Sequence, residues 1–145
     1  MRPEEGRILL IEDNPSDAEL ILHVLRKYAL AHYVHVLQDG DAALTYLFHP
    51  HNRPVHYPEL IILDLKLPKV NGVEVLQQLR AHAETAGIPV VIFSSSSELR
   101  DIQEGQRYKV ERYLVKPVNY TAFREKIEQI AQYWHQLVDQ HTAMV

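Results

Sequence analysis

Short apolar runs alternate along this chain with longer stretches in which apolar residues recur at helical spacing. The runs are rich in isoleucine, leucine and valine, which is typical of strands that are buried on both faces of a sheet. They occupy residues 7–11, 32–37, 59–64, 88–93 and 112–115. The pattern therefore predicts five strands, of which the second is the weakest in apolar character and the fifth is short.

A helix is predicted after each of these strands. Asn14 and Pro15 suit the cap and the first position of the first helix, and a later helix is expected over roughly residues 97–107. The last helix begins after Asn119 and continues to about Val138. Its apolar positions follow helical spacing and are Phe123, Ile127, Ile130, Trp134, Leu137 and Val138.

Strands that alternate with helices indicate an α/β fold with a parallel sheet covered on both faces. Right-handed crossovers leave few arrangements, and we predict a doubly wound sheet with the strand order 2-1-3-4-5 and an extended C-terminal helix. Ligands of such sheets bind outside the C-terminal ends of the strands, here strands 1 and 3. We expect one domain over residues 1–145, with a core at about 7–138 and no output domain.

Composition and charge exclude several classes of function. The chain has 15 Lys and Arg against 19 Asp and Glu, a net charge of −4, which gives no electrostatic basis for binding nucleic acid. It has no cysteine, which excludes disulfides, thiolate zinc sites and cysteine nucleophiles. Its apolar runs are too short to cross a bilayer, so we expect a cytoplasmic protein without a membrane partner.

Polar residues stand at the predicted C-terminal ends of four strands. Glu12 and Asp13 follow the first, Asp64 the third, Ser94 the fourth and Lys116 the fifth. Neighbouring strands would bring the three carboxylates together, where they repel one another unless a cation lies among them. A hard divalent ion, Mg²⁺ in the cell, fits such oxygen ligands. We therefore predict a magnesium site at this edge of the sheet.

A metal ion, a lysine and a hydroxyl around one carboxylate are the groups that phosphoryl transfer requires. The transferred group carries its charge on three oxygens, and catalysis consists mainly of placing positive charge against them. Asp64 would be the nucleophile and would form an aspartyl-phosphate.

Several motifs together resemble the receiver domain of two-component response regulators over roughly residues 7–138. They are Glu12-Asp13, Leu63-Asp64-Leu65-Lys66-Leu67-Pro68, Asn71-Gly72, Ser94 and Tyr113-Leu114-Val115-Lys116-Pro117. The resemblance implies a flavodoxin-like (βα)5 fold and a phosphoacceptor signalling protein rather than an enzyme. It also implies a histidine kinase as the phosphoryl donor and a histidine phosphotransfer protein as a possible further partner.

The resemblance also implies roles for individual residues. Asp13 would bind Mg²⁺ directly together with Asp64, Glu12 would act through water, and the backbone carbonyl of Lys66 would complete the metal site. Asp64 would accept the phosphoryl group. Ser94 would bind one of its oxygens, Lys116 would pair with it, and Tyr113 would be the switch aromatic. A cis Lys116–Pro117 peptide bond is expected at this turn.

A narrower resemblance is to the phytochrome-associated single-domain regulators, which implies a photoreceptor kinase as donor. It depends on the run from Ile62 to Pro68, the extended loop at residues 49–58, and the long last helix with Tyr133 and Trp134. These two aromatics are predicted to lie partly off the core stripe. We expect them to form an exposed patch on the face of helix 4, strand 5 and helix 5 that pairs two copies in a homodimer.

Two other interpretations compete with the phosphoacceptor. A receiver-like docking or dimerisation module would never be phosphorylated, although no member of the acidic, hydroxyl and lysine set is missing. A phosphatase of similar topology needs a second acid two residues after its nucleophile, and Lys66 stands there. Lys66 and Ser96 also predict slow self-dephosphorylation, since neither orients a hydrolytic water.

The loop at residues 49–58 contains three prolines and three histidines, His49, His51 and His56. Their short spacing in a proline-rich segment is a poor basis for a tetrahedral metal site, and no thiolate supports one. We therefore expect these histidines to be solvated loop residues.

Overall fold

The computed structural model describes residues 5–143, with side chains described as far as residue 140. The strands are β1 (Ile8–Ile11), β2 (Val34–Leu37), β3 (Leu60–Leu63), β4 (Val90–Ser94) and β5 (Arg112–Val115). The helices are α1 (Pro15–Lys27), α2 (Gly40–Phe48), α3 (Gly72–Ala81), α4 (Leu99–Arg107) and α5 (Tyr120–Ala143). Each strand is followed by a helix, as the apolar pattern predicts. Among the described residues, no helix combines the length and the apolar character needed to span a bilayer.

The five strands form one parallel sheet in the order β2-β1-β3-β4-β5. Ile8 at the start of β1 pairs with Val34 on one side and with Leu60 on the other. This confirms the predicted doubly wound fold. From β1 the chain adds β2 on one side of the sheet and then β3 on the other. The connections that leave β1 and β3 therefore run to opposite faces of the sheet, and a crevice lies at the carboxyl ends of these two strands.

The continuous apolar runs fill two separate cores. Along β1, Ile8 and Leu10 belong to the core shared with α1 and α5, whereas Leu9 and Ile11 belong to the core shared with α2 and α3. Successive side chains of a strand point to opposite faces, so a strand covered on both sides needs apolar residues at every position. Each such side chain contributes about 1.5–3 kcal/mol on burial.

Four helices begin near the carboxyl edge of the sheet with a side chain that caps their first turn. The side chains of Asn14, Asp39, Asn71 and Asn119 accept hydrogen bonds from backbone N–H groups at the starts of α1, α2, α3 and α5. Pro15 occupies the first position of α1, where a missing N–H has no cost. The predicted start of α1 is thus confirmed, and the caps fix where the neighbouring loops lie.

The segment after β3 is held tightly between two helices. A Cβ atom on Gly72 would lie 2.4 Å from the carbonyl oxygen of Asp64, and one on Gly40 would lie 1.8 Å from the carbonyl oxygen of Val70. Only glycine permits these approaches of α3 and α2. The backbone N–H of Gly72 also donates to the carbonyl oxygen of Leu65, at 3.0 Å. The chain from Asp64 to Val70 is therefore fixed in place.

Some element boundaries differ from those predicted. β2 begins at Val34 rather than at residue 32, because Ala31–Tyr33 form a turn of 3-10 helix that delivers the chain to the sheet. α4 begins at Leu99 rather than at residue 97, and α5 continues to Ala143, beyond the expected end near Val138.

The expected cis bond before Pro117 is wrong, because none of the described peptide bonds is cis. The two isomers of a bond before proline differ by only about 0.5–1 kcal/mol, so local contacts decide between them. Just before this bond, the backbone N–H of Lys116 donates to the carbonyl oxygen of Ser94 at 2.7 Å and extends the pairing of β4 and β5 by one residue.

Trp134 is part of the core and not of an exposed patch, so that prediction is wrong. Its side chain is 2% exposed and packs in the core between the sheet, α1 and α5. It follows Ile127 and Ile130 at spacings of seven and four, which places it on the same stripe of α5. Tyr33 lies 5.7 Å away between ring centroids, and the Arg7 guanidinium lies 5.1 Å from the Trp134 ring. Tyr133 is half-buried.

Candidate functional site

The carboxyl edge of the sheet brings together acidic residues from two strands. Glu12 and Asp13 follow β1 directly, and Asp64 follows β3, which pairs with β1. One carboxylate oxygen from each of the three lies within 4.8 Å of the others. Glu12 and Asp64 are buried, whereas Asp13 is exposed. The predicted convergence of the three carboxylates is confirmed.

Lys116 lies inside this acidic group. Its Nζ donates hydrogen bonds to Glu12 Oε1 at 2.6 Å, to Asp64 Oδ2 at 2.9 Å and to Asp17 Oδ2 at 2.9 Å. The lysine side chain is itself 8% exposed. Lys116 reaches these acids because β5 ends at the same edge of the sheet as β1 and β3. All three donors of its ammonium group are occupied.

Asp17 belongs to the site although the sequence reasoning missed it. It lies in the first turn of α1, which starts at the carboxyl edge directly after β1. Its carboxylate accepts a hydrogen bond from the same Lys116 ammonium group that donates to Asp64. The one signal in the sequence was its position shortly after Glu12 and Asp13, and an acid in a first helical turn is common for reasons of capping and dipole alone.

Burial governs proton binding in this pocket. It raises the pKa of Glu12 to about 7, despite the opposing hydrogen bond from Lys116, and the nearby Asp64 adds to the rise. For Lys116, burial alone would lower the pKa, but the hydrogen bonds to Glu12, Asp64 and Asp17 outweigh it, so the pKa is raised. Lys116 therefore stays charged at neutral pH, whereas Glu12 exchanges a proton near neutrality.

The donor set fits a hard divalent metal ion. The ammonium group of Lys116 contacts the carboxylates of Glu12, Asp17 and Asp64, and Asp13 adds a fourth carboxylate next to Glu12 and Asp64, so acids outnumber the cation in the pocket. All the acidic donors are oxygens, which hard divalent cations prefer. Glu12, Asp13 and Asp64 could hold such an ion. The role of the Lys66 carbonyl as a further ligand stays a prediction.

Both oxygens of Asp64 are already oriented. Oδ2 accepts the hydrogen bond from Lys116, and Oδ1 accepts one from the backbone N–H of Lys66 at 3.0 Å. The side chain of Lys66 points away from this bond. Its Nζ lies 3.7 Å from Oδ2 of Asp101 on α4, and it is 56% exposed.

Ser94 and Tyr113 both bind the backbone of Ser96, in the loop that joins β4 to α4. Ser94 is fully buried at the end of β4, and its Oγ accepts a hydrogen bond from the backbone N–H of Ser96 at 3.3 Å. The hydroxyl of Tyr113 donates to the carbonyl oxygen of Ser96 at 2.9 Å. Tyr113 is half-buried, and burial raises the pKa of its hydroxyl. The two predicted residues are thus connected through Ser96.

The histidines of the loop before β3 are separate from this site. His49, His51 and His56 are exposed. Within residues 5–143, the one group of three or more residues with metal-ligand geometry is the acidic group of Glu12, Asp13 and Asp64. The histidines therefore form no such group.

Comparison with known proteins agrees with this geometry. A family model described as the response regulator receiver domain matches residues 8–128. The response regulator Rcp1 of Synechocystis sp. is 34% identical over 134 residues, which is 90% of each chain.

Solved structures match the fold as well. The Mn²⁺-bound form of Rcp1 superposes with a TM-score of 0.80 at 34% identity, covering 88% of this chain and 92% of that one. The phosphorylated cyanobacterial phytochrome response regulator RcpA superposes with a TM-score of 0.82 at 33% identity, covering 90% of this chain and 94% of that one. With the acidic pocket, the lysine and the buried serine in place at the expected strand ends, this chain belongs to the family of response regulator receiver domains.

Proposed function

We propose that this receiver accepts a phosphoryl group on Asp64 from a histidine kinase in a Mg²⁺-dependent reaction. The observation that carries this is the arrangement around Asp64. Its Oδ2 is 2.9 Å from a buried ammonium group, and its carboxylate lies within 4.8 Å of oxygens from Glu12 and Asp13. A nucleophilic carboxylate needs this surrounding positive charge and a cation-binding group beside it.

In the proposed reaction, an oxygen of Asp64 attacks the phosphorus of a phosphohistidine. The new P–O bond forms as the P–N bond breaks, and the histidine nitrogen keeps the electron pair of the broken bond. Lys116 lies against the reacting carboxylate and neutralises charge on the transferred group. Ser94 supplies a hydroxyl for one phosphoryl oxygen. Bound Mg²⁺ would supply further positive charge at the phosphoryl oxygens.

The donor we propose is a photoreceptor kinase of the phytochrome type. Support comes from RcpA, which is described as a phytochrome response regulator and covers nearly all of this chain. The response would be a shift of the loop after β4 toward the phosphoryl group, with Tyr113 following through its hydrogen bond to Ser96. The signal would then leave through phosphorylation-dependent protein contacts, or by transfer to a histidine phosphotransfer protein.

Incubation with acetyl phosphate and Mg²⁺ tests the acceptor. We expect the intact protein to gain the mass of one phosphoryl group, and we expect Asp64→Asn to abolish the gain. Asp139→Asn, an exposed aspartate on α5, is the matched control and should be phosphorylated like the wild type. If the wild type gains no mass, or if Asp64→Asn still gains it, the docking module without phosphorylation becomes the better explanation.

Slow loss of the phosphoryl group is a further part of this proposal. Lys66 and Ser96 offer neither a carboxylate nor an amide to orient an attacking water, and the Lys66 ammonium carries a charge that attracts phosphoryl oxygens. We expect the adduct to decay more slowly in the wild type than in Lys66→Asn, measured by intact mass over time. Faster decay in the wild type would contradict this.

We also propose that two copies of the chain pair through the face formed by α4, β5 and α5. Support comes from the exposed apolar side chains at one end of this face, Leu99, Val115, Val118 and Tyr120. β5 is moreover an edge strand, which a second copy could cover. We expect Val118→Asp to lower the dimer fraction in sedimentation. Val55→Asp, at an exposed site in the loop before β3, should leave it unchanged. A monomeric wild type would contradict the pairing.

A further inference from the structure

Asp101 connects the two loops that border the acceptor carboxylate. It lies in the first turn of α4, and its side chain is only 15% exposed. Its Oδ2 accepts a hydrogen bond from the hydroxyl of Ser96, in the loop after β4, and lies 3.7 Å from Nζ of Lys66, in the loop after β3. One carboxylate therefore joins α4 to both loops.

The position of the Lys66 charge matters for phosphoryl binding, because every N–H group of the Lys116 ammonium is already hydrogen-bonded. Its three N–H groups are taken by Glu12, Asp17 and Asp64, so it can contact an incoming phosphoryl group only by leaving one of these acids. Lys66 carries a second cation on the same loop as Asp64, and its backbone N–H is bonded to Oδ1 of that residue.

Asp101 is the acid that holds this second cation. A long pair of 3.7 Å on a side chain that is 56% exposed is weak and exchanges easily. Asp101 itself is held more firmly, because the Ser96 hydroxyl donates to it and the Ser96 backbone N–H is bonded to Oγ of Ser94. The lysine can therefore move while its partner stays in place.

We propose that Asp101 is a positioning residue for the phosphoryl chemistry at Asp64, because it draws the Lys66 ammonium away from the acceptor. This rests on the proposed function of Asp64. Release of Lys66 from Asp101 brings its charge toward the phosphoryl oxygens. In the step that this accelerates, an Asp64 oxygen bonds to phosphorus as the P–O bond of acetyl phosphate breaks and acetate leaves with the electron pair.

Asp101→Asn separates charge from packing. Asparagine keeps a carbonyl oxygen for the Ser96 hydroxyl but removes the ion pair with Lys66. We expect this variant to be phosphorylated by acetyl phosphate and Mg²⁺ about two- to fivefold faster than the wild type, the size of effect that a partly exposed ion pair supports. The difference should shrink as the salt concentration rises. Glu98→Gln, which removes the same charge from the exposed cap of α4, is the matched control and should leave the rate unchanged.

A double-mutant cycle decides whether Asp101 acts through Lys66. We expect Lys66→Met to slow phosphorylation and to abolish the gain from Asp101→Asn, so that the double variant matches Lys66→Met alone. Amide hydrogen exchange in α4 is the second readout and should be equal in the wild type and Asp101→Asn. If Asp101→Asn accelerates the Lys66→Met protein equally, or gives no acceleration at all, the positioning role is overturned. Failure of the wild type to gain a phosphoryl group would instead overturn the function of Asp64.

Discussion

Lys116→Met should nearly abolish phosphorylation by acetyl phosphate, with a rate about 10²–10³ lower than that of the wild type. The ammonium group is 2.9 Å from the carboxylate oxygen of Asp64 and is the only cation buried among the acids of this pocket in the described chain. Methionine keeps the length and the apolar stem of the side chain but removes the charge. The reacting oxygens would then gather negative charge with no fixed cation beside them.

Two measurements make this result specific. Lys27→Met, at an exposed position in the last turn of α1, is the matched control and should be phosphorylated like the wild type. Divalent-ion affinity, followed by tyrosine and tryptophan fluorescence, should be retained or increased in Lys116→Met, since the acids lose a competing cation. A Lys116→Met protein that is phosphorylated within a few-fold of the wild-type rate would contradict the assigned role.

Trp134→Ala should destabilise the folded protein by about 3–5 kcal/mol, as truncation of a buried aromatic does. The side chain is 2% exposed and fills the space between α1, α5 and the sheet, where Tyr33 and Arg7 pack against its ring. Alanine would leave a cavity that these rigid elements cannot close. The change should appear as a lower midpoint of urea unfolding with an unchanged slope.

His135→Ala is the comparison on the same helix. His135 is exposed and adjacent to Trp134 in the sequence, so its truncation should change the free energy of unfolding by less than about 0.5 kcal/mol. The Trp134→Ala loss should also be independent of protein concentration, because it arises within one chain. If Trp134→Ala lowers the free energy of unfolding by less than about 1 kcal/mol, or if the effect grows on dilution, Trp134 lies at a subunit interface instead.

The fold could be predicted from the sequence because short stretches of residues are enough to identify most of its strands and helices. The run at residues 60–63 is apolar at every position, and a strand of this kind is buried on both faces. Asn14 and Pro15 mark the start of α1 with side chains whose capping chemistry depends on nothing distant. The parallel order then placed Asp64 and Lys116 at one edge, although they are 52 residues apart.

Other parts depend on contacts that the pattern does not encode. Asp17 and Asp101 lie in the first turns of helices, where acids are common, and only the tertiary arrangement brings them to Lys116 and Lys66. The tendency of aromatics to occur at interfaces says nothing about which side of a helix a residue occupies. The spacing of Trp134 from Ile130 continues the buried stripe of α5, and this spacing agrees with the position of the side chain in the core.

The close approach of Gly72 to Asp64 means that α3 and α4, which lie on either side of the acceptor, are packed with different tightness. On the α3 side there is no free space, because a methyl group added at Gly72 would collide with the backbone of Asp64. On the other side, α4 buries only one of its residues, Gly105. A displacement of the acceptor loop toward α3 is therefore blocked by backbone contact, whereas α4 has few buried side chains that hold it against the sheet.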